Sequence, residues 1–164
     1  MKILVNLVLI CAAIHVVSCT NQTASRDPAV ATDQPVNQNQ KEMKDLVSIV
    51  EIPVTDFSRA VNFYKKILNV SVDETEMDGV KMGILGGGGE NVSVVLACGT
   101  GYEASASGAV IYLNAGEDLQ PALDKVEAHG GKVIMTKTEI SAEMGYFAMF
   151  TDTEGNRVGL HSAR

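Results

Sequence analysis

The sequence predicts an α+β domain over residues 46–164: two βαβββ modules forming a curved, half-barrel sheet around a shared cavity, with the helices outside. Three observations predict it. The order strand, helix, strand, strand, strand can be read twice, on either side of a small, polar linker at 99–107. Each helical stretch repeats its apolar residues at helical spacing, and the strand-like runs are short and bounded by turn residues. Neither half could bury the inner face of its own small sheet, so the two have to combine.

The elements follow in order. Residues 46–53 are a strand candidate whose aliphatics are interrupted by Ser48 and Glu51. Asp56 can cap the next element, where Phe57, Ala60, Val61, Tyr64, Ile67 and Leu68 make one apolar helix face, closed by Asn69. Strand-like runs follow at 70–77, 80–85 and 92–97. The glycine run at 86–89 lacks the Lys-Ser/Thr and helix that a phosphate cradle needs; Glu90 and a strand follow instead, so it reads as a hairpin loop. The second half opens with a strand at 108–114. Asp118 is placed to cap a helix carrying Leu119, Ala122, Leu123 and Val126, which Gly130 and Gly131 end. Strands at 132–137, 145–151 and 157–161 complete the module, the last two joined by the turn at 152–156.

Ahead of this domain lie an address and a tether. Lys2 is a short positive start, and residues 3–17 are almost wholly apolar, too short for a comfortable membrane span and suited to a signal-peptide core. The run ends Val16-Val17-Ser18-Cys19, which resembles the bacterial lipobox. That resemblance implies cleavage after residue 18 and lipidation of Cys19, with Thr20 favouring the outer membrane in a Gram-negative host. His15 then belongs to the leader. Residues 19–45, rich in Gln, Asn, Thr and Asp, are expected to be a disordered tether. Several acyl chains would hold the protein on the bilayer, since one chain alone is marginal.

Composition narrows the function classes. The formal charge is −7, and losing Lys2 with the leader makes it −8. An acidic surface repels phosphate backbones, which argues against nucleic acid. Aromatics are only 5% and Trp is absent, which argues against a stacking platform for sugars or single strands. Cys98 is the sole cysteine of the domain, so no internal disulfide is expected. It closes an apolar run and reads as a small buried residue rather than a nucleophile.

Two motifs carry a family resemblance. The first is Glu51-Ile-Pro-Val-Thr-Asp-Phe-Ser-Arg-Ala-Val-Asn-Phe-Tyr64, the second Asp152-Thr-Glu-Gly-Asn-Arg-Val-Gly-Leu-His161. With the element order they resemble the vicinal oxygen chelate superfamily, which includes glyoxalase I, bleomycin-resistance proteins, fosfomycin-resistance transferases and extradiol dioxygenases. The chain looks most like bacterial relatives of lactoylglutathione lyase. Metal-dependent members place a His or Glu on each of four strands to polarise vicinal substrate oxygens. The matching positions here are Ile49, Val94 (or, with a one-residue slip, Val95), Ala109 and Gly159. None can bind a metal, so no metal or other cofactor is expected, and metal-dependent lactoylglutathione lyase activity is not.

Strand alternation offers a substitute. If residues 49 and 159 face the cavity, so do Glu51 and His161. A carboxylate beside an imidazole could act as a catalytic acid–base pair or grip a polar ligand. Alternatively, each simply satisfies the other, or a backbone group, at the rim. Tyr102, in the irregular linker, is a candidate ligand-binding residue. His129 at a helix end reads as structural. The expectation is a membrane-anchored module that binds a small organic ligand, as bleomycin-resistance proteins do. Two readings stand beside it: a metal-independent lyase or isomerase related to lactoylglutathione lyase, using Glu51 and His161, and a non-catalytic structural lipoprotein. The sequence leaves homodimer formation open.

Overall fold

The computed structural model describes residues 46–88 and 92–164. The leader, Cys19 and the expected tether lie outside the described residues, as does the end of the glycine loop. The chain divides into two units, Met1–Lys41 and Glu42–Arg164, and the architecture below is that of the second.

The first half contains β1 (Ile49–Pro53), α1 (Phe57–Leu68), β2 (Val72–Met77), β3 (Val80–Leu85) and β4 (Ser93–Cys98). Its sheet has the order β1-β4-β3-β2, with β1 and β4 parallel and the other pairs antiparallel. The second half repeats the plan with β5 (Tyr112–Asn114), α2 (Gln120–Val126), β6 (Lys132–Ser141), β7 (Gly145–Thr151) and β8 (Arg157–Ser162). The sheet order β5-β8-β7-β6, with β5 and β8 parallel, is the same pattern. Among the described residues no helix is long and apolar enough to cross a membrane.

The helix ends follow local chemistry. Asp56 is the N-cap of α1, its carboxylate accepting from the Arg59 amide at 3.0 Å. Asn69 ends the helix in the left-handed region at φ 55, a conformation its short polar side chain tolerates. Asp118 accepts from the Gln120 amide as expected, but Leu119 holds the cap position of α2 and makes no side-chain cap bond. A short 3-10 turn, Glu127–His129, extends α2 to Gly130, whose φ of 95 stops it.

Two boundaries differ from the sequence expectation. The strand expected at 108–114 forms only at Tyr112–Asn114. Gly108 adopts φ 102, and the preceding chain is held instead by the Ser105 amide on Asn156 Oδ1. β6 runs on to Ser141, past the expected end at residue 137, with register shifts against β7.

One apolar core serves both halves. Ile52, Val54, Phe63, Tyr64, Ile67 and Leu96 of the first half cluster with Leu119, Leu123, Val126, Phe150, Val158 and Leu160 of the second. The Phe63 ring packs edge-on to Tyr64 at 5.1 Å and against Phe150 at 5.9 Å, bridging the halves. Burying each such side chain stabilises by roughly 1.5–3 kcal/mol. The alternate residues, Glu51 on β1, Tyr112 on β5 and His161 on β8, turn to the other face of their sheets, and that face carries the candidate site.

Candidate functional site

The two motifs meet each other. Glu154, in the turn between β7 and β8, reaches the start of α1. Its carboxylate accepts from the Thr55 and Asp56 amides at 3.1 and 2.9 Å, from Thr55 Oγ1 at 2.7 Å, and from Arg59 Nε and Nη2 at 2.8 and 2.9 Å. Its side chain has no exposed surface. Burial alone would raise its pKa, but the bonds from Arg59, Asp56, Thr55 and Thr153 outweigh that and hold it at about 2. In the same turn Asp152 accepts the Tyr64 hydroxyl at 2.7 Å, and burial followed by the Asp152 charge pushes the Tyr64 hydroxyl well above its ordinary range. Asn156 donates to the Pro53 carbonyl at 2.8 Å and to Asp152 Oδ2 at 2.9 Å. Sequence reasoning took these motifs as labels and missed their work, which is to latch the second half onto the first. The signal was there in opposite charges, Arg59 in one motif and Glu154 in the other.

The four positions that metal-dependent relatives use can now be placed. Ile49 is 62% exposed on β1. Val95 pairs with Glu51 across the parallel β1–β4 ladder and so shares its face, while Val94 packs against the core. Of the two β4 candidates, Val95 is therefore the one on the face that carries Glu51. Ala109 lies in the irregular stretch before β5. Gly159 pairs with Tyr112, and a Cβ at 159 would run into Cδ1 and Cε1 of the Tyr112 ring. The space a ligating side chain would take at residue 159 is therefore filled by an aromatic ring. Among the described residues, no three His, Cys, Asp or Glu side chains gather so as to hold a metal ion.

Glu51 and His161 are not brought together. Glu51 accepts a hydrogen bond from the Tyr102 hydroxyl at 3.2 Å. That bond, followed by desolvation and the Glu51 charge, raises the Tyr102 pKa. His161 Nε2 bonds the Met144 carbonyl oxygen at 2.7 Å, so this nitrogen carries the hydrogen. The two residues line different cavities. A cleft of about 300 Å³ at the seam between β1 and the start of β8 is lined by Glu51, Glu103, Ser105, Ala109, Asn156 and Arg157, among others. A second hollow of about 430 Å³ is lined by Tyr112, Ile140, Met144, Phe147 and His161 and is almost wholly apolar. There Tyr112 and Phe147 pack edge to face at 6.1 Å.

The remaining candidates take structural places. Cys98 is a free thiol, half-buried, that donates to the Thr55 carbonyl at 3.6 Å. His129 is exposed at the end of the 3-10 turn. Linker residue Tyr102, by contrast, chosen separately in the sequence, bonds to Glu51, a pairing the sequence did not suggest.

With this geometry in view, the comparison with known proteins is decisive for the family. The model of the glyoxalase/bleomycin resistance protein/dioxygenase superfamily matches residues 46–160. The chain belongs to this superfamily. The match covers all of the β-strands apart from the last two residues of β8. Solved structures of the same fold include glyoxalase I from Zea mays, at 22% identity and TM-score 0.57, covering 70% of this chain and 45% of that one. A glyoxalase/bleomycin resistance protein from Streptomyces sp. CB03234 matches at 20% identity and TM-score 0.55, covering 71% and 99%. TnmS3, an antibiotic binding protein from the same Streptomyces, matches at 20% identity and TM-score 0.52, covering 72% and 95%. At these identities the likeness is one of fold, and the chain spans less than half the length of the maize enzyme. No curated protein matches the chain.

Proposed function

We propose that the chain is a membrane-anchored member of the superfamily that binds a small organic ligand without a metal, in the cleft at the seam of its two halves. The observation that carries this is the Glu51–Tyr102 hydrogen bond beside that cleft. A strand carboxylate and a linker phenol converge where a ligand of modest size fits, at the small end of the usual range of about 300–1,000 Å³. In this reading the two sheets curve into one half-barrel with the helices outside, and Cys19 carries the lipid.

A family metal does not fit the donor set. Ile49, Val95 and Ala109 offer no ligating atom, and Tyr112 occupies the space beside Gly159. No step is therefore routed through a metal. The acid–base reading on Glu51 and His161 has no supporting geometry, because each is held by a different partner in a different cavity. Polar groups of the cleft are left to orient a ligand, with the Glu51 carboxylate, steadied by Tyr102, as acceptor and Arg157 as donor.

Thermal-shift screening of the protein against cell-envelope metabolites and cationic compounds is the test. At least one compound should raise Tm saturably, since a ligand at 100 times its Kd stabilises by about 2.7 kcal/mol. That stabilisation should weaken in Glu51→Gln and Tyr102→Phe. A stabiliser that acts equally on both variants would place the site elsewhere.

A further inference from the structure

The cleft at the seam holds charges of both signs that do not use each other. Glu51 and Glu103 line it, and so does Arg157. Arg157 makes no ion pair among the described residues. Among the described residues its guanidinium reaches a single carbonyl, that of Gly108, at a long 3.4 Å, and its Nε is buried with no acceptor. A buried donor without a partner has given up its bonds to water and gained none in return. Such groups are uncommon in native proteins and call for an explanation. Two other basic residues of the domain show the contrast: Arg59 pairs with Glu154 at 2.8 Å, and Lys137 with Asp118 at 2.7 Å. Arg157 has carboxylates in its own cleft and, among the described residues, no bond to them.

We infer that the seam cleft takes an amino-acid-like zwitterion, its carboxylate on Arg157 and its ammonium groups on Glu51 and Glu103. This rests on the proposed ligand-binding reading and names the chemical class for the same cleft. A carboxylate meets a guanidinium through two parallel N–H···O bonds, which is the acceptor geometry Arg157 lacks. An ammonium donates in three directions and suits carboxylate oxygens that have lone pairs to spare. Glu51 receives one bond from Tyr102, which fixes the carboxylate and leaves its other oxygen free to accept. Ser105 and Ser107 add hydroxyls to the wall. Two carboxylates against one guanidinium match a ligand with one carboxylate and two cationic groups, so a basic amino acid balances the cleft and an acidic one does not. The protein's net negative charge favours the approach of such a ligand.

Calorimetric titration and thermal shift of the full-length chain would use four probes. L-lysine carries both kinds of charge, cadaverine lacks the carboxylate, pentanoate lacks the ammonium groups, and pentanamide is neutral. L-lysine should bind saturably and at least tenfold more tightly than the other three. Arg157→Met should weaken L-lysine at least tenfold, bringing it level with cadaverine, without lowering the ligand-free Tm, because it removes an unpartnered donor. Arg157→Lys, which keeps the charge and loses the fork, should lie between. Glu51→Gln should weaken L-lysine and leave pentanoate unchanged. Equal binding of L-lysine by the wild type and Arg157→Met would overturn the inference. So would an absence of saturable L-lysine binding. Saturable binding of pentanamide as tight as that of L-lysine would also overturn it while leaving the ligand-binding reading intact. That reading fails separately, if the wider screen yields no stabiliser sensitive to Glu51.

Discussion

Glu154 shows how much one residue of a family motif can carry without touching chemistry. Its pKa of about 2, against a usual 4.5, lies below the value it has when unfolded. A lowered carboxylate pKa stabilises above the unfolded value and loses that contribution as pH falls through the folded one. The window is therefore from about pH 4.5 down to about 2, and the contribution is on the order of 2–3 kcal/mol. Glu154→Gln should lower stability by about that amount at neutral pH and flatten its acid dependence, as measured by urea unfolding across this window. A second residue-scale expectation concerns Gly159. Gly159→Ala should cost about 1–3 kcal/mol by forcing the Tyr112 ring aside. Combined with Tyr112→Ala the cost should fall short of the sum, since the clash is then gone. The absence of donors at 49, 109 and 159 was legible in the sequence. The ring over Gly159 was not, because cross-strand register decides it and register is not written in any one strand.

At the scale of elements, α1 was the most legible part of the chain. Its cap, its apolar face and its left-handed end were all set by local residues, and the structure has them at Asp56, 57–68 and Asn69. Asp56→Ala should accordingly cost about 1 kcal/mol in equilibrium unfolding, the usual worth of an N-cap. The second half was less legible. β5 is shorter than its apolar run because the linker ahead of it is pinned to Asn156, a tertiary contact across 51 positions of sequence. The cap position of α2 falls at Leu119, one residue beyond Asp118, whose Oδ1 accepts from both the Gln120 amide and Lys137; the Lys137 bond is the main reason the Asp118 pKa is lowered. Alternation placed Glu51 and His161 on the open faces of their strands. It could not report that a carbonyl from residue 144 would take the imidazole and a linker phenol the carboxylate. Side-chain direction is a property of a strand, whereas convergence depends on the loops around it.

For the molecule as a whole, the doubled βαβββ order was readable from the chain, and so was the need for the halves to share a core. The shared core runs from Ile52 through Phe63 to Phe150 and Leu160. Phe150→Ala should therefore destabilise both halves together, by about 3–5 kcal/mol, and leave a single unfolding transition. A separate early transition for the second half would contradict the common core. The proposed lipid anchor belongs to this scale too. Wild-type protein should incorporate radiolabelled fatty acid and partition with membranes in a bacterial host, and Cys19→Ala should do neither.

The proposed metal-free binding of a ligand in this superfamily fold is tested most directly by chelation. The stabilisation of the full-length chain by its best ligand would be measured as a Tm shift before and after exhaustive treatment with a chelator, and again after adding back Ni²⁺, Zn²⁺ or Mn²⁺. The same shift is expected in all three conditions, and it should weaken in Glu51→Gln. A shift that disappears on chelation and returns with one divalent ion bound per chain would contradict it.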